Sequence, residues 1–261
     1  MLSNPSPQTV KNKISVVRKY IRLSKGYLGG IDSINVSHHI DAINRVKNYK
    51  TNTKRPIPIK LFRKIIKLQP KNFTGYNITT MLLLLYFGAF RQSEIAPKSL
   101  SKFNHRTNMC KKDIYIKNNC IYVKLRWGKN LQKYTDVKEL CIPPAGEKLI
   151  CPVYNYQKVL DNSPRIKRRD PVFIFKDCKP ISVNYLRKCW EASLQKLNLN
   201  KKYYSLHSIR KSAASSAYLM GCRNLDIKRY GGWSSDAYLK YIQTNANKNV
   251  SQALVKAIQK S

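Results

Sequence analysis

Two hydrophobic periods alternate along the chain, and each change of period marks a new element. Val10, Ile14, Val17 and Ile21 recur at helical spacing, Gly26 to Gly30 interrupts them, and Val36, Ile40, Ile43 and Val46 resume the pattern. Two helices are therefore expected in a small N-terminal unit, residues 1–52. The stretch TNTKRPIP, residues 51–58, is basic and proline-bearing and reads as a linker into residues 53–261. Ile59 to Leu68 returns to helical spacing. The longest apolar run, Ile78 to Phe90, predicts a helix buried in a core. It is too short to span a bilayer and is interrupted by threonines.

Period two takes over between Asp113 and Trp127. Ile114 and Ile116 alternate, Asn118-Asn119 supplies a turn, and Ile121, Val123, Leu125 and Trp127 alternate after it. Gly128-Lys129-Asn130 is a second turn, and Val137 to Ile142 is a third strand that stops at Pro143-Pro144. Helical spacing then resumes from Cys151-Pro152, after Ser182 and after Ser205, the two serines reading as caps. A last apolar stripe, Val250, Leu254, Ala257 and Ile258, predicts a terminal helix behind a polar tether. The expected fold class is mainly α with a small antiparallel β-sheet (α+β).

Charge narrows the function. The 261 residues carry 50 Lys and Arg against 13 acidic residues, a formal net charge of +37. Such an excess is the electrostatic footprint of a polyanion binder. A membrane-surface protein can also be basic, but neither an amphipathic cationic helix nor a lipidation signal stands out. The seven cysteines are scattered without a C-x-x-C pair, which predicts reduced intracellular thiols rather than a disulfide frame or zinc site. The basic loop SPRIKRR, residues 163–169, suits phosphate contacts or a nuclear import signal.

Candidate chemistry concentrates between Ser205 and Tyr241. His207-x-x-Arg210 opens a helix rich in small residues, a shorter helix leads to Gly231-Gly232-Trp233, and an amphipathic segment carries Tyr238 and Tyr241. Cations, an indole donor and a tyrosine hydroxyl on one helical hairpin suit a site that holds a phosphodiester and attacks it. Upstream, Arg91 directly follows the buried run, where a charge needs a partner: Glu94 or a bound phosphate. No Gly-rich P-loop and no carboxylate cluster occur.

Together these stretches resemble the tyrosine recombinases, the phage-integrase-like enzymes. The likeness rests on GAFRQSEI (residues 88–95), WGKN (127–130), His207-x-x-Arg210, Gly232-Trp233 and Tyr241, and it covers roughly Ile57 to Tyr241. Each box alone is weak, and the ordered set is strong. The wording GGWSSDAYLKYI looks most like eukaryotic mobile-element members, the Crypton and DIRS-type recombinases.

The resemblance implies that Arg91 and Arg210 hold the phosphate and that His207 donates to an oxygen or assists proton transfer. Trp233 offers its N–H, Glu94 orients a neighbour, and Lys129 protonates the leaving oxygen, with Lys124 and Lys133 as rivals for that role. Tyr241 attacks, leaving a 3′-phosphotyrosine, with Tyr238 as alternative nucleophile. That covalent link stores the bond energy, so the resemblance implies that no cofactor or metal is needed, consistent with the lack of a Gly-rich P-loop and of a carboxylate cluster. Trp233 to Tyr241 is one residue shorter than in many members. The partners implied are double-stranded DNA and further copies of the chain in a synaptic tetramer joined by the terminal helix. Residues 1–52 correspond to a short helical domain that clamps DNA. An intracellular location follows, nuclear if the protein is eukaryotic. Rival readings are a type IB topoisomerase, which shares this site, and a domesticated DNA-binding protein that no longer cuts.

Overall fold

A computed structural model describes residues 7–24, 26, 34–46, 54–127, 138–233 and 236–239. The chain divides into two compact units, residues 1–52 and 53–261. In the first, helix α1 (Pro7–Leu23) packs against α2 (Ile34–Val46), and Lys11 Nζ reaches Asp41 at 2.7 Å across the pair. Ile40 is the buried anchor of this contact. The expected stripe on α1 is only partly realised: Val10, Ile14 and Ile21 are half-buried, Val17 is exposed, and Arg18 takes its place on the shielded side.

The second unit is built around α4 (Phe73–Phe87), whose residues from Asn77 to Leu85 are all buried. A helix apolar all round has to sit inside its domain, and α4 does so against α6 (Pro152–Asn162) and α8 (Leu206–Leu219). The helix starts five residues before the apolar run, capped by Asn72, whose side chain accepts from Gly75 N at 2.9 Å. It stops at Phe87, so Gly88, Ala89 and Phe90 form a turn, with Ala89 at a left-handed φ of 46°. This turn aims the following residues at the site. Arg91 then caps the short α5 (Gln92–Ile95).

Helix α3 (Ile59–Lys67) buries Phe62, Ile65 and Ile66 into the same core, as α7 (Val183–Lys196) buries Leu186, Trp190 and Leu194. A three-stranded antiparallel sheet, order β1-β2-β3, covers one side: β1 (Ile114–Lys117), β2 (Cys120–Leu125) and β3 (Lys138–Ile142). Asn118 and Asn119 both adopt left-handed φ, 48° and 53°, the geometry of a two-residue hairpin turn matched to strand twist. Ile121, Val123 and Leu125 pair with Ile142, Leu140 and Lys138, and the inward face of β2 and β3 is apolar except for Lys138. The mostly helical architecture with one small sheet agrees with the fold class expected from the pattern.

The segment read as linker is fixed over its second half. Ile57 N donates to Ser212 Oγ at 2.7 Å, Ser212 Oγ donates to Ile57 O at 2.9 Å, and Lys211 Nζ donates to Lys54 O at 2.6 Å. Lys54 to Pro58 is therefore strapped onto α8 at Lys211 and Ser212, the two residues that follow Arg210. The apolar Ile57, 2% exposed, drives this docking.

Candidate active site

Three separate parts of the sequence meet at the turn after α4. Arg91, at the start of α5, donates from Nη1 to Glu94 Oε1 at 2.8 Å, and its backbone N–H donates to Glu94 Oε2 at 2.6 Å. Glu94 is nearly buried and so fixes both the backbone and the guanidinium of Arg91. Nη2 of Arg91 makes a longer contact, 3.4 Å, to Gly232 O.

Arg210 lies in the second turn of α8 and is 2% exposed. It donates from Nη1 to Ala89 O and from Nη2 to Gly231 O at 2.6 Å, while its guanidinium lies 4.2 Å from the centroid of the Trp233 ring. A buried guanidinium needs such partners to offset desolvation. The left-handed turn at Ala89 presents one of them.

The other carbonyls come from the end of α9 (Asn224–Gly231). Gly232 closes that helix with φ 64°, and a Cβ on Gly231 would meet the Trp233 ring at 1.7 Å. The Gly-Gly-Trp sequence is thus a single device. One glycine makes the left-handed stop and the other lets the indole fold back over the helix end. Trp233 N donates to Lys228 O at 3.0 Å, securing the reversal.

His207 occupies the first turn of α8, one helical turn before Arg210 and Lys211. It does not line the cavity described below, and it is partly open to solvent. Partial burial, then the positive charges of Lys211, Arg210 and Arg91, hold its pKa down to about 4 from the usual 6.5. The helix N-terminus opposes imidazolium as well. His207 is therefore neutral near pH 7, able to accept a proton at one ring nitrogen and donate from the other.

Lys138 completes the group, although it belongs to none of the sequence motifs. It lines a cavity of about 50 Å³ with Arg91, Glu94, Arg210, Gly231 and Gly232. On that measure one water needs about 10–15 Å³, so there is room for a few waters or a small anion. The signal was in the strand alternation: Lys138, Leu140 and Ile142 share one face, and the last two are core residues. Lys124, on the opposite face, pairs with Glu139 at 3.6 Å and lies over the Tyr115 ring.

Tyr238 is 3% exposed, packed with Ala214 and Ile227, its ring centroid 5.7 Å from that of Trp233. Lys129, Lys133, Tyr241 and the stripe Val250 to Ile258 lie outside the described residues. Among the described residues, Glu94 is the lone carboxylate lining a cavity that also takes in Arg91, Arg210 and Lys138. This excess of fixed positive charge with a neutral imidazole beside it suits a phosphate group.

No family profile and no curated protein sequence matches the chain. Solved structures do. The Tn1549 transposon integrase, in complex with a circular intermediate DNA, superposes with a TM-score of 0.61 at 16% identity, covering 91% of this chain and 76% of the integrase. The XerA recombinase matches with a TM-score of 0.54 at 14% identity over 97% of this chain and 93% of its own. The XerH site-specific recombinase, bound to its palindromic difH substrate after cleavage, matches at 0.55 and 14% over 78% of this chain, which spans about half (53%) of the XerH chain. The protein has the fold of the tyrosine recombinase catalytic domain.

Proposed function

We propose that this protein is a site-specific DNA recombinase or integrase that breaks and rejoins strands through a 3′-phosphotyrosine. The observation that carries this reading is the convergence of Arg91, from the turn after α4, with Arg210 from α8 and the α9–Trp233 reversal around one small cationic cavity. These are the positions where the sequence resembles the recombinases, and the fold is theirs.

Arg91 and Arg210 hold the non-bridging oxygens of the scissile phosphate and offset the charge that develops as phosphorus becomes five-coordinate. Among the described residues, Arg91 uses two of its five side-chain N–H donors on Glu94 and Gly232, and the rest are available to an oxygen. Neutral His207 assists the proton leaving the nucleophile. Tyr241 Oη attacks phosphorus, the bond from phosphorus to the 5′ oxygen breaks, and Lys129 supplies that oxygen with a proton. A 5′-hydroxyl attacking the phosphotyrosine reverses the steps, so rejoining needs no outside energy source. The burial of Tyr238 favours Tyr241 as the nucleophile.

Double-stranded DNA is the partner, drawn by the charge of +37. Synapsis of two duplexes calls for four copies of the chain, and the apolar stripe Val250 to Ile258 is the proposed connector. An apolar groove of about 430 Å³ between α8 and α9, lined in part by Ala213, Ala217, Met220 and Ile227, offers a seat for such a helix. The wording GGWSSDAYLKYI supports a mobile-element origin of the Crypton or DIRS type, with action in the nucleus.

The test is capture of a covalent adduct on a nicked suicide duplex, which lets the cut piece diffuse away and blocks rejoining. An adduct stable to denaturing detergent is expected. Gel-shift binding with no adduct on any substrate would favour the non-cutting DNA-binding reading instead.

A further inference from the structure

The last four carbonyls of α9 and its stop are all held by cations of the site. Lys138 donates to Tyr230 O and, at 3.4 Å, to Arg229 O, Arg210 donates to Gly231 O at 2.6 Å, and Arg91 contacts Gly232 O at 3.4 Å. A helix C-terminus carries partial negative charge on its unpaired carbonyls, and cations there are stabilising. Among the described residues, the other contact of Lys138 is with the Tyr230 ring, which its ammonium overlies at 5.7 Å. Tyr230 is itself pinned, its hydroxyl donating to Phe87 O at 2.5 Å. Lys138 stands on β3, whose neighbours Leu140 and Ile142 are locked into the core, so its stem starts from a rigid strand.

We infer that Lys138 is a positioning residue: it ties β3 to the C-terminal end of α9 and so fixes the Gly231-Gly232-Trp233 reversal, and the segment that follows it, against the two arginines. Any loosening of this tie moves the indole and the Gly231 and Gly232 carbonyls together. The inference deepens the strand-breaking reading and rests on it for its kinetic consequences, though not for the anchor itself. Burial of the amine, countered by Glu94 and reinforced by Arg210 and Arg91, lowers its pKa to about 8. The groups facing it are Glu94 of α5, Arg91, Arg210 of α8, and Tyr230 of α9. The lysine is charged at neutral pH, and the tie weakens as pH rises through about 8.

The experiment has two arms. In the first, amide hydrogen exchange compares wild type, Lys138→Met and Lys138→Arg without DNA. Gly232 N and Trp233 N, bonded to Arg229 O and Lys228 O, should exchange faster in Lys138→Met and be largely restored in Lys138→Arg, while α4 amides are unchanged. Unchanged protection at Gly232 and Trp233 in Lys138→Met overturns the inference. If Lys138→Met does not fold, wild-type exchange at these two amides, corrected for its intrinsic pH dependence, should still rise above about pH 8, and a flat profile overturns it.

In the second arm, adduct formation is timed on plain DNA and on DNA with a 5′-bridging phosphorothiolate, whose thiolate leaves without a proton. A positioning residue predicts that Lys138→Met is slowed on both by the same factor, on the order of 10- to 100-fold for a misplaced reacting group. Rescue on the phosphorothiolate alone would make Lys138 the proton donor and overturn the positioning role, as would wild-type rates on both. Absence of an adduct from the wild type, alongside the expected exchange change, refutes the strand-breaking reading and leaves the anchor standing.

Discussion

The Arg210 guanidinium lies 4.2 Å from the centroid of the Trp233 ring and donates to Gly231 O at 2.6 Å, so one side chain both stacks on the indole and grips the helix end beneath it. The proposed phosphate-holding role and the local architecture are inseparable at Arg210, whereas Arg91 is 27% exposed and held mainly by Glu94.

The two arginines should therefore respond differently to truncation. Arg91→Ala is expected to slow adduct formation by roughly 10²–10³-fold, as on loss of one preorganised donor, and to cost stability in a denaturant melt by leaving the nearly buried Glu94 carboxylate without its cation, a loss that a second change, Glu94→Gln, should largely recover. Arg210→Ala should slow it at least as much and also destabilise the fold. It strips a donor from the buried carbonyls of Ala89 and Gly231, at roughly 1–3 kcal/mol for each group left unsatisfied. Recovery of the Arg210→Ala stability loss by Glu94→Gln would remove the structural half of this distinction, because Arg210 holds backbone carbonyls and not Glu94, and wild-type cleavage in either arginine variant would remove the phosphate clamp.

His207 gives a prediction in pH. Its native pKa of about 4 lies below the unfolded value near 6.5, so between those values the unfolded chain binds more protons. The corresponding stability is present above about pH 6.5 and declines as pH falls through about 4. NMR titration of the His207 ring, assigned by comparison with His207→Gln, should give a midpoint near 4 in the free protein. Bound duplex DNA should raise it, because a phosphate beside the ring favours the imidazolium form. A midpoint unmoved by DNA would mean that no phosphate sits beside the ring.

Much of this arrangement was legible in the sequence, for identifiable reasons. The Asn118-Asn119 turn, the caps at Ser182 and Ser205 and the buried run behind Arg91 are local signals, each with one physical reading. Lys138 was hidden among many lysines because motif spacing drew attention to Lys129, while the decisive clue was alternation with Leu140 and Ile142. The strap of Lys54 to Pro58 onto α8 was hidden for another reason. Its bonds join Ile57 to Ser212, a contact between positions far apart in the chain that no local pattern encodes. Likewise, nothing local announced that α9 would turn its carbonyls on three cations.

Asp113 gives a prediction about the base of the hairpin. It is 2% exposed and accepts from Arg126 Nε and Nη2, both at 2.6 Å, and from Cys110 N at 2.8 Å. Arg126 directly follows the end of β2, so this fork fixes the chain where it leaves the strand. Asp113→Ala should cost roughly 3–5 kcal/mol, the scale for breaking a buried pair, and nearer the lower figure because the Arg126 side chain is 26% exposed. The double variant Asp113→Ala with Arg126→Met should recover part of that loss in a urea melt. No recovery would mean that the cost comes from the Cys110 amide rather than from an unpaired guanidinium.

The last prediction separates the two tyrosines. On a helix they would stand one turn apart, so spacing alone cannot choose between them. Surroundings can. In the proposed reaction the nucleophile has to bring its oxygen to a phosphate beside Arg91 and Arg210, whereas the Tyr238 ring is buried with Ala214 and Ile227 and lies against Trp233. Its phenol serves the packing that supports the indole, a role that phenylalanine fills almost equally well. Tyr241→Phe removes one hydroxyl and should abolish the covalent adduct on a suicide duplex while leaving gel-shift affinity near that of the wild type. Tyr238→Phe should form the adduct within a few-fold of the wild-type rate, and Tyr238→Ala should lose it along with stability, because a large buried ring is costly to delete, about 3–5 kcal/mol for aromatic-to-alanine changes in cores. An adduct that survives Tyr241→Phe and disappears in a stably folded Tyr238→Phe would assign the attack to Tyr238.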